Sequence, residues 1–227
     1  MKKKLQFVKR FLSKPEGLTL KDVGPVSRSF GFERGTPVDR YYIHQFLATN
    51  QEFIKGRILE IAESKLSRQY AAEGSHFEVL HVTSENVNAT IIGDLTKKES
   101  LPSNAIDCFI CTQTYNFIYQ VEEAIRGTYH LLNQGGCVLA TVAGISQISQ
   151  YDASRWGDYW RFTPMSIKRL FEDVFGAGNV EVTSYGNCLT AVSLLRGIAV
   201  EELNRNDLDV FDPDYPVIIS IKAIKAI

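Results

Sequence analysis

Gly56-Arg57-Ile58-Leu59-Glu60-Ile61-Ala62-Glu63 is the stretch that decides how the chain is read. Its apolar run over 57–62 predicts a short strand, and the polar residues that follow predict a turn. From this strand onward, short apolar runs alternate with helical segments. That alternation argues for an α/β fold with a mostly parallel sheet between helical layers. Further strands are expected at 77–83, 89–93, 106–111, 136–142, 180–185 and 216–225. The last contains Val217-Ile218-Ile219-Ser220-Ile221, a strongly β-prone run expected at an edge or as an inserted antiparallel strand.

Helix signals surround these strands. A leading helix is expected over 37–53, with Thr36 as N-cap, Pro37 at the first helical position and Asp39 at the positive end of the dipole. A second, over 121–132, places Val121, Ala124, Ile125, Thr128 and Leu132 on one face and stops at Asn133-Gln134-Gly135-Gly136. A third, over 164–175, starts at Thr163-Pro164 and lines up Ile167, Leu170, Phe171, Val174 and Phe175 as an apolar stripe. A fourth, over 189–203, reads as an insertion between the last two strands. No repeat or polar linker divides the chain. Residues 1–36 read as a basic extension and loop, and 37–227 as a single domain.

Of the 227 residues, 44% are hydrophobic and 22% charged, which suits a folded protein with a substantial core. The net charge of -1 is unevenly placed. Residues 1–14 hold six lysines and arginines and no acid, so the rest of the chain carries -7. An acidic body argues against nucleic-acid binding. Leu5, Val8, Phe11 and Leu12 give the basic start helical spacing, read as a surface-packed terminal helix, with peripheral membrane contact as the sharper alternative. No apolar run approaches the roughly 20 residues that span a bilayer.

Cys108 and Cys111 have C-x-x-C spacing, but residues three apart in a strand face opposite sides, so buried reduced thiols are expected rather than a metal site. Reduced thiols point to a cytoplasmic location.

Several segments resemble the class I S-adenosylmethionine-dependent methyltransferases, over about three-quarters of the chain. That family reads Leu-Glu-Val/Ile-Gly-x-Gly-x-Gly at the first strand. Here Leu59, Glu60 and Ile61 match, while Ala62, Ser64 and Leu66 stand in the glycine places, a degenerate form of the motif. Ile92-Gly93-Asp94-Leu95 resembles the third-strand segment, Ile106 to Thr114 the fourth strand and its loop, and Leu131-Leu132-Asn133-Gln134-Gly135-Gly136 the approach to strand five. Trp156-Gly157-Asp158-Tyr159-Trp160-Arg161-Phe162-Thr163-Pro164 and Phe32 to Ile43 resemble a bacterial subgroup associated with glycosyltransferases and polysaccharide synthesis.

The resemblance implies a three-layer, doubly wound Rossmann-like fold whose seven-stranded sheet has its last strand antiparallel. It implies S-adenosylmethionine as cofactor, contacted by Glu60, Ala62, Glu63, Ser64, Glu85, Asp94, Leu95, Thr112 and Gln113. The acid usually found after strand two is replaced by Val82-Thr83-Ser84, with Glu85 just beyond it. Asp94 is the better-placed contact, although an aspartate there also suits capping the next turn.

For the acceptor side, Asp158, Tyr115 and Arg161 are the expected catalytic residues, with His44, Asn116, Tyr159 and Trp160 near the same opening. The plainer reading sets Asp158 and Arg161 in a surface pair and uses Trp156 and Trp160 to plug the sheet. His44, His81 and His130 read as solvated or structural. The histidines show no metal-ligand spacing, and no Gly-x-Ser-x-Gly elbow is present.

Three readings of function follow. The first is O-methylation of a saccharide or other small hydroxylated acceptor, with a small-molecule or glycan partner and a homo-oligomer left open. The second is a methyltransferase-like domain that has lost catalysis and acts as a binding scaffold, motivated by the missing glycines. The third, a nicotinamide-dependent dehydrogenase, suffers more from the same loss, since no Gly-x-Gly-x-x-Gly remains at a strand-to-helix turn.

Overall fold

A computed structural model describes residues 23–227. The basic segment with Leu5, Val8, Phe11 and Leu12 lies outside the described residues. The strands are β1 (Arg57–Ile61), β2 (His76–His81), β3 (Ile91–Ile92), β4 (Ile106–Thr112), β5 (Leu132–Ala143), β6 (Val180–Tyr185) and β7 (Ile218–Ile224). They form one sheet in the order β3-β2-β1-β4-β5-β7-β6, parallel from β3 to β5, with β7 antiparallel between β5 and β6. The helices are α1 (Val38–Thr49), α2 (Lys65–Tyr70), α3 (Val121–Leu131), α4 (Gln150–Ala153), α5 (Pro164–Phe175), α6 (Cys188–Arg196) and α7 (Arg205–Leu208).

The central strands are apolar on both faces, as expected of parallel strands covered on both sides. In-register neighbours share a face. Leu59, Phe109 and Val138 pack on the side of α3 and α5, whereas Ile58, Cys108 and Cys137 pack on the side of α1 and α2. Cys108 and Cys111 therefore sit in different halves of the core. Burial pushes the Cys111 thiol up to about 12, and a hydrogen bond with Cys137, together with burial, raises Cys108 well above the usual thiol range.

α5 follows its sequence pattern. Thr163 caps it reciprocally with Ser166, and Ile167, Phe171 and Phe175 are buried against the sheet. α1 does not start on a Thr36 cap. Thr36 instead donates from its amide (2.9 Å) and its hydroxyl (2.7 Å) to Glu201, and the helix begins after Pro37 and ends at Thr49, with a single 3₁₀ turn over Gln51–Phe53. Val38 and Tyr42 pack with Ile145 just beyond β5, while Ile43, Phe46 and Leu47 run down over Ile58, Ile110 and Leu139. The first turn of α1 thus stands at the carboxyl end of the sheet.

Three expected boundaries move for physical reasons. β5 starts at Leu132, inside the expected turn, because residues 133–136 form a bulge: Ile106 pairs with Leu132 and Cys108 with Cys137. Asn133 donates to Asp107 (2.7 Å) and fixes that bulge. The expected helix over 189–203 stops at Arg196, where Gly197 takes a left-handed conformation (φ 70°), and continues as a 3₁₀ turn and α7. The strand over 89–93 shrinks to two residues, since Ala89 turns back onto Asn86 and only Ile91 and Ile92 reach the ladder.

Phe171 is fully buried and meets Tyr115 edge-on at 5.6 Å. Phe171→Ala is expected to lower stability by about 3–5 kcal/mol in denaturant unfolding, through lost burial and the cavity left behind.

Candidate functional site

Strand order reverses between β1 and β4, and the crevice outside the carboxyl ends of such strands is where ligands bind in open α/β sheets. A cleft of about 1070 Å³ opens there. Two residues without the freedom of glycine hold left-handed backbone at its floor: Ala62, directly after β1 (φ 63°), and Gln113, directly after β4 (φ 49°). A left-handed conformation costs an L-residue on the order of 1–2 kcal/mol, so both turns are held by their surroundings. The Ala62 amide donates to the Leu80 carbonyl (2.9 Å), and Asn86 donates to the Ala62 carbonyl (2.7 Å). The Gln113 amide donates to Thr141 O at 2.8 Å.

Glu60 organises the first of these turns. Its side chain is buried, and its two carboxylate oxygens accept from the amides of Leu66 (3.2 Å) and Ser67 (2.7 Å) at the start of α2. The chain is thereby folded back sharply after β1. Burial raises the Glu60 carboxyl above its ordinary value against the pull of those amides.

The rim is built by the loop between β5 and α5. Asp158, with a side chain only 1% exposed, holds Arg161 through two bonds (2.5 and 3.0 Å) and accepts from the Ser149 amide at 3.0 Å. Arg161 also donates to the carbonyls of Gln147 (2.6 Å), Trp160 (2.8 Å) and Ser146 (3.3 Å). Asn116, buried after β4, donates to Trp160 O, and its own carbonyl accepts from the Tyr159 amide. Trp156 meets His81 edge-on at 5.8 Å, linking the rim to the end of β2.

No model of a known protein family matches this sequence, and no curated protein matches it. Solved structures do. One is a SAM-dependent methyltransferase from Archaeoglobus fulgidus, 15% identical over 88% of this chain and 100% of that one, with a TM-score of 0.54. The fold is that of the S-adenosylmethionine-dependent methyltransferases. Phosphoethanolamine N-methyltransferase 2 of Haemonchus contortus, in complex with S-adenosyl-L-methionine, is 14% identical over 92% of this chain and 55% of its own (TM-score 0.52). The [4+2]-cyclase SpnF is also similar, 13% identical over 86% of this chain and 85% of its own (TM-score 0.51).

Of the residues expected to face a methyltransferase cofactor, Glu60, Ala62, Glu63, Asp94, Leu95, Thr112 and Gln113 line the cleft. Ser64 and Glu85 do not. Ser64 precedes α2 and accepts from Arg68 (3.0 Å), and Glu85 points to solvent. The end of β2 presents His81 and Val82 instead of an acid. His81, read from the sequence as structural, is thus a cleft residue. Asp94 caps its own turn, accepting from the Thr96 amide (2.9 Å) and hydroxyl (2.7 Å). Burial alone would raise its carboxyl, but those bonds and Lys97 hold it below the usual range.

On the acceptor side, Tyr115 is corrected outright. Its ring is fully buried, its hydroxyl shares a hydrogen bond with Thr128 (2.7 Å), and burial lifts its pKa well above the ordinary tyrosine value. It belongs to the core. Asp158 and Arg161 line the cleft, but their polar groups are engaged with each other and with the loop. His44 is half-buried outside the cleft and pairs with the Tyr70 hydroxyl at 2.7 Å. Trp160 donates to Ile118 O (3.1 Å) and packs against the core. Among the described residues no His/Cys/Asp/Glu cluster is placed to hold a metal ion, and no helix is long and apolar enough to cross a membrane.

Two outcomes follow from these contacts. An acid raised in the folded state stabilises most when protonated, so the Glu60 contribution is complete below the ordinary 4.5 and is lost as pH rises through its higher folded value. The stability of wild type relative to Glu60→Gln is therefore expected to grow as pH falls from 7 toward 4.5, read from urea unfolding at each pH. Asp158→Asn is expected to speed amide exchange across 146–161 while leaving the central strands unchanged, because the buried acceptor that fixes Arg161 and Ser149 loses its charge.

Proposed function

We propose that this chain transfers methyl groups from S-adenosylmethionine to the oxygen of a saccharide or other small hydroxylated acceptor, within a single domain spanning 37–227. The observation that carries the reading is the pair of left-handed turns, Ala62 and Gln113, at the two strand ends that flank the topological switch point. Strain of this kind persists where the surrounding structure enforces it. Here it keeps the turn after β1 on a glycine-like path although the glycines are absent.

The residues fit the cofactor over most of its length. Ala62 and Glu63 would hold the amino-acid end, Thr112 and Gln113 its centre, and Leu95 with Val82 the base. At the ribose His81 would stand in place of the usual acid. The bound cofactor would supply an electrophilic methyl group on a positively charged sulfur. The chain's part is positioning and exclusion of water, which supply much of the rate in such a transfer. Asp158 and Arg161 contribute by fixing the 146–161 rim over the acceptor. The segment resembling polysaccharide-associated proteins, Trp156 to Pro164, supports a sugar acceptor, because Trp156 and Tyr159 offer exposed aromatic surface at the rim.

Calorimetric titration with S-adenosylmethionine and S-adenosylhomocysteine tests this. Both are expected to bind. Ala62→Gly should bind at least as well and change stability by no more than about 1 kcal/mol, since relief of left-handed strain offsets the added freedom of the unfolded chain. Absence of heat at millimolar ligand with an intact fold would sink the proposal.

A further inference from the structure

Besides His81, four basic side chains line the cleft, all of them arginines: Arg28, Arg40, Arg155 and Arg161. Arg161 is committed to Asp158. The other three come from separate stretches of chain: the segment before α1, the first turn of α1 and the segment after α4. Among the described residues none of the three has a carboxylate within ion-pair distance. They gather in one opening of a protein whose chain beyond residue 14 carries a net -7.

The acids of the cleft are mostly occupied elsewhere. Glu60 is bound by the amides of α2, Asp94 by Thr96 and Lys97, Asp152 by the Ser149 hydroxyl (2.5 Å), and Asp158 by Arg161. Asp39 accepts from the Arg40 amide (2.8 Å) but forms no ion pair with its guanidinium, and burial raises its carboxyl toward the neutral form. Glu63 remains free, in the turn after β1.

The guanidinium of Arg155 is already oriented, and that of Arg40 has an aromatic ring nearby. Arg155 lies over the Tyr151 ring, 3.6 Å from its centroid, and donates to the Tyr151 carbonyl at 2.8 Å. Arg40 lies 5.9 Å from the Phe32 centroid. Stacking fixes the plane of a guanidinium and leaves N–H edges free, the arrangement that favours bidentate capture of a carboxylate or phosphate. The supporting rings are themselves 67% and 57% exposed, so an occupant of the mouth can cover them.

We propose that the acceptor carries an oxyanion, phosphate or carboxylate, bound by Arg28, Arg40 and Arg155 at the mouth of the cleft. This rests on the methyl-transfer reading and narrows its acceptor to an anionic hydroxylated molecule. Neutral sugars lack the group these arginines select.

The test uses the full chain saturated with S-adenosylhomocysteine and titrated with pyrophosphate, glucose 6-phosphate, glucuronate and glucose. At least one of the three oxyanions is expected to bind about tenfold or more tightly than glucose, more weakly at higher salt, with a further loss of about tenfold in each of Arg40→Gln and Arg155→Gln. Preference between the phosphates and glucuronate identifies the anion. The idea is overturned if no oxyanion binds, if glucose binds as tightly as its phosphate, or if the variants keep full oxyanion affinity. It is equally overturned if the variants lose S-adenosylhomocysteine instead, since the arginines then serve the cofactor. Failure of S-adenosylhomocysteine to bind wild type counts against the methyl-transfer reading, and the same oxyanion titrations on the unliganded protein still judge the arginines.

Discussion

The site depends on one buried carboxylate. Glu60, the last but one residue of β1, is buried and receives the first amides of α2 on both oxygens. A carboxylate without a cation partner is costly to bury, and two amide donors at a helix start are the compensation available to it. Those bonds bring α2 back against the end of β1. The intervening turn must then be tight, and Ala62 is driven into left-handed backbone. The cleft floor follows from that geometry.

The opposite wall is set independently. Asp107 ties the start of β1 to the bulge in β5, accepting from the Arg57 amide and from Asn133, and keeps β1, β4 and β5 in register. With that register, Gln113 emerges beside Thr141 and turns left-handed in its own right. Asn116, Asp158 and Arg161 then carry the rim across the opening. The arrangement separates a floor made of backbone from a mouth made of arginines and aromatic rings. Fold alone does not choose the chemistry run in such a cleft, because a [4+2]-cyclase is similar to this chain as well. The proposed methyl transfer rests on the turns after β1 and β4.

Much of the fold was legible because its signals are local. Thr163, Pro164 and the stripe from Ile167 to Phe175 specify α5 without reference to anything distant, and the apolar runs locate five of the strands closely. What escaped was set by tertiary contacts. Thr36 is an apt cap by sequence, yet Glu201, far along the chain, takes its donors. α2 is six residues long with one well-buried apolar side chain, too short for a periodic signal. At the site, the missing glycines suggested a damaged motif, because nothing in the sequence reports that alanine can be held left-handed. Tyr115 looked reactive by type and proved to be core. The stacked Arg155 did leave a trace, standing four residues after Tyr151 at the end of a helical turn.

Amide hydrogen exchange with and without S-adenosylhomocysteine tests the central claim most directly. Bound ligand is expected to slow exchange at 61–67 and 112–114, the two turns built around Ala62 and Gln113, with lesser slowing at 81–83 and 94–96. Bound ligand that leaves both turns unprotected, or that protects another part of the surface, would contradict it.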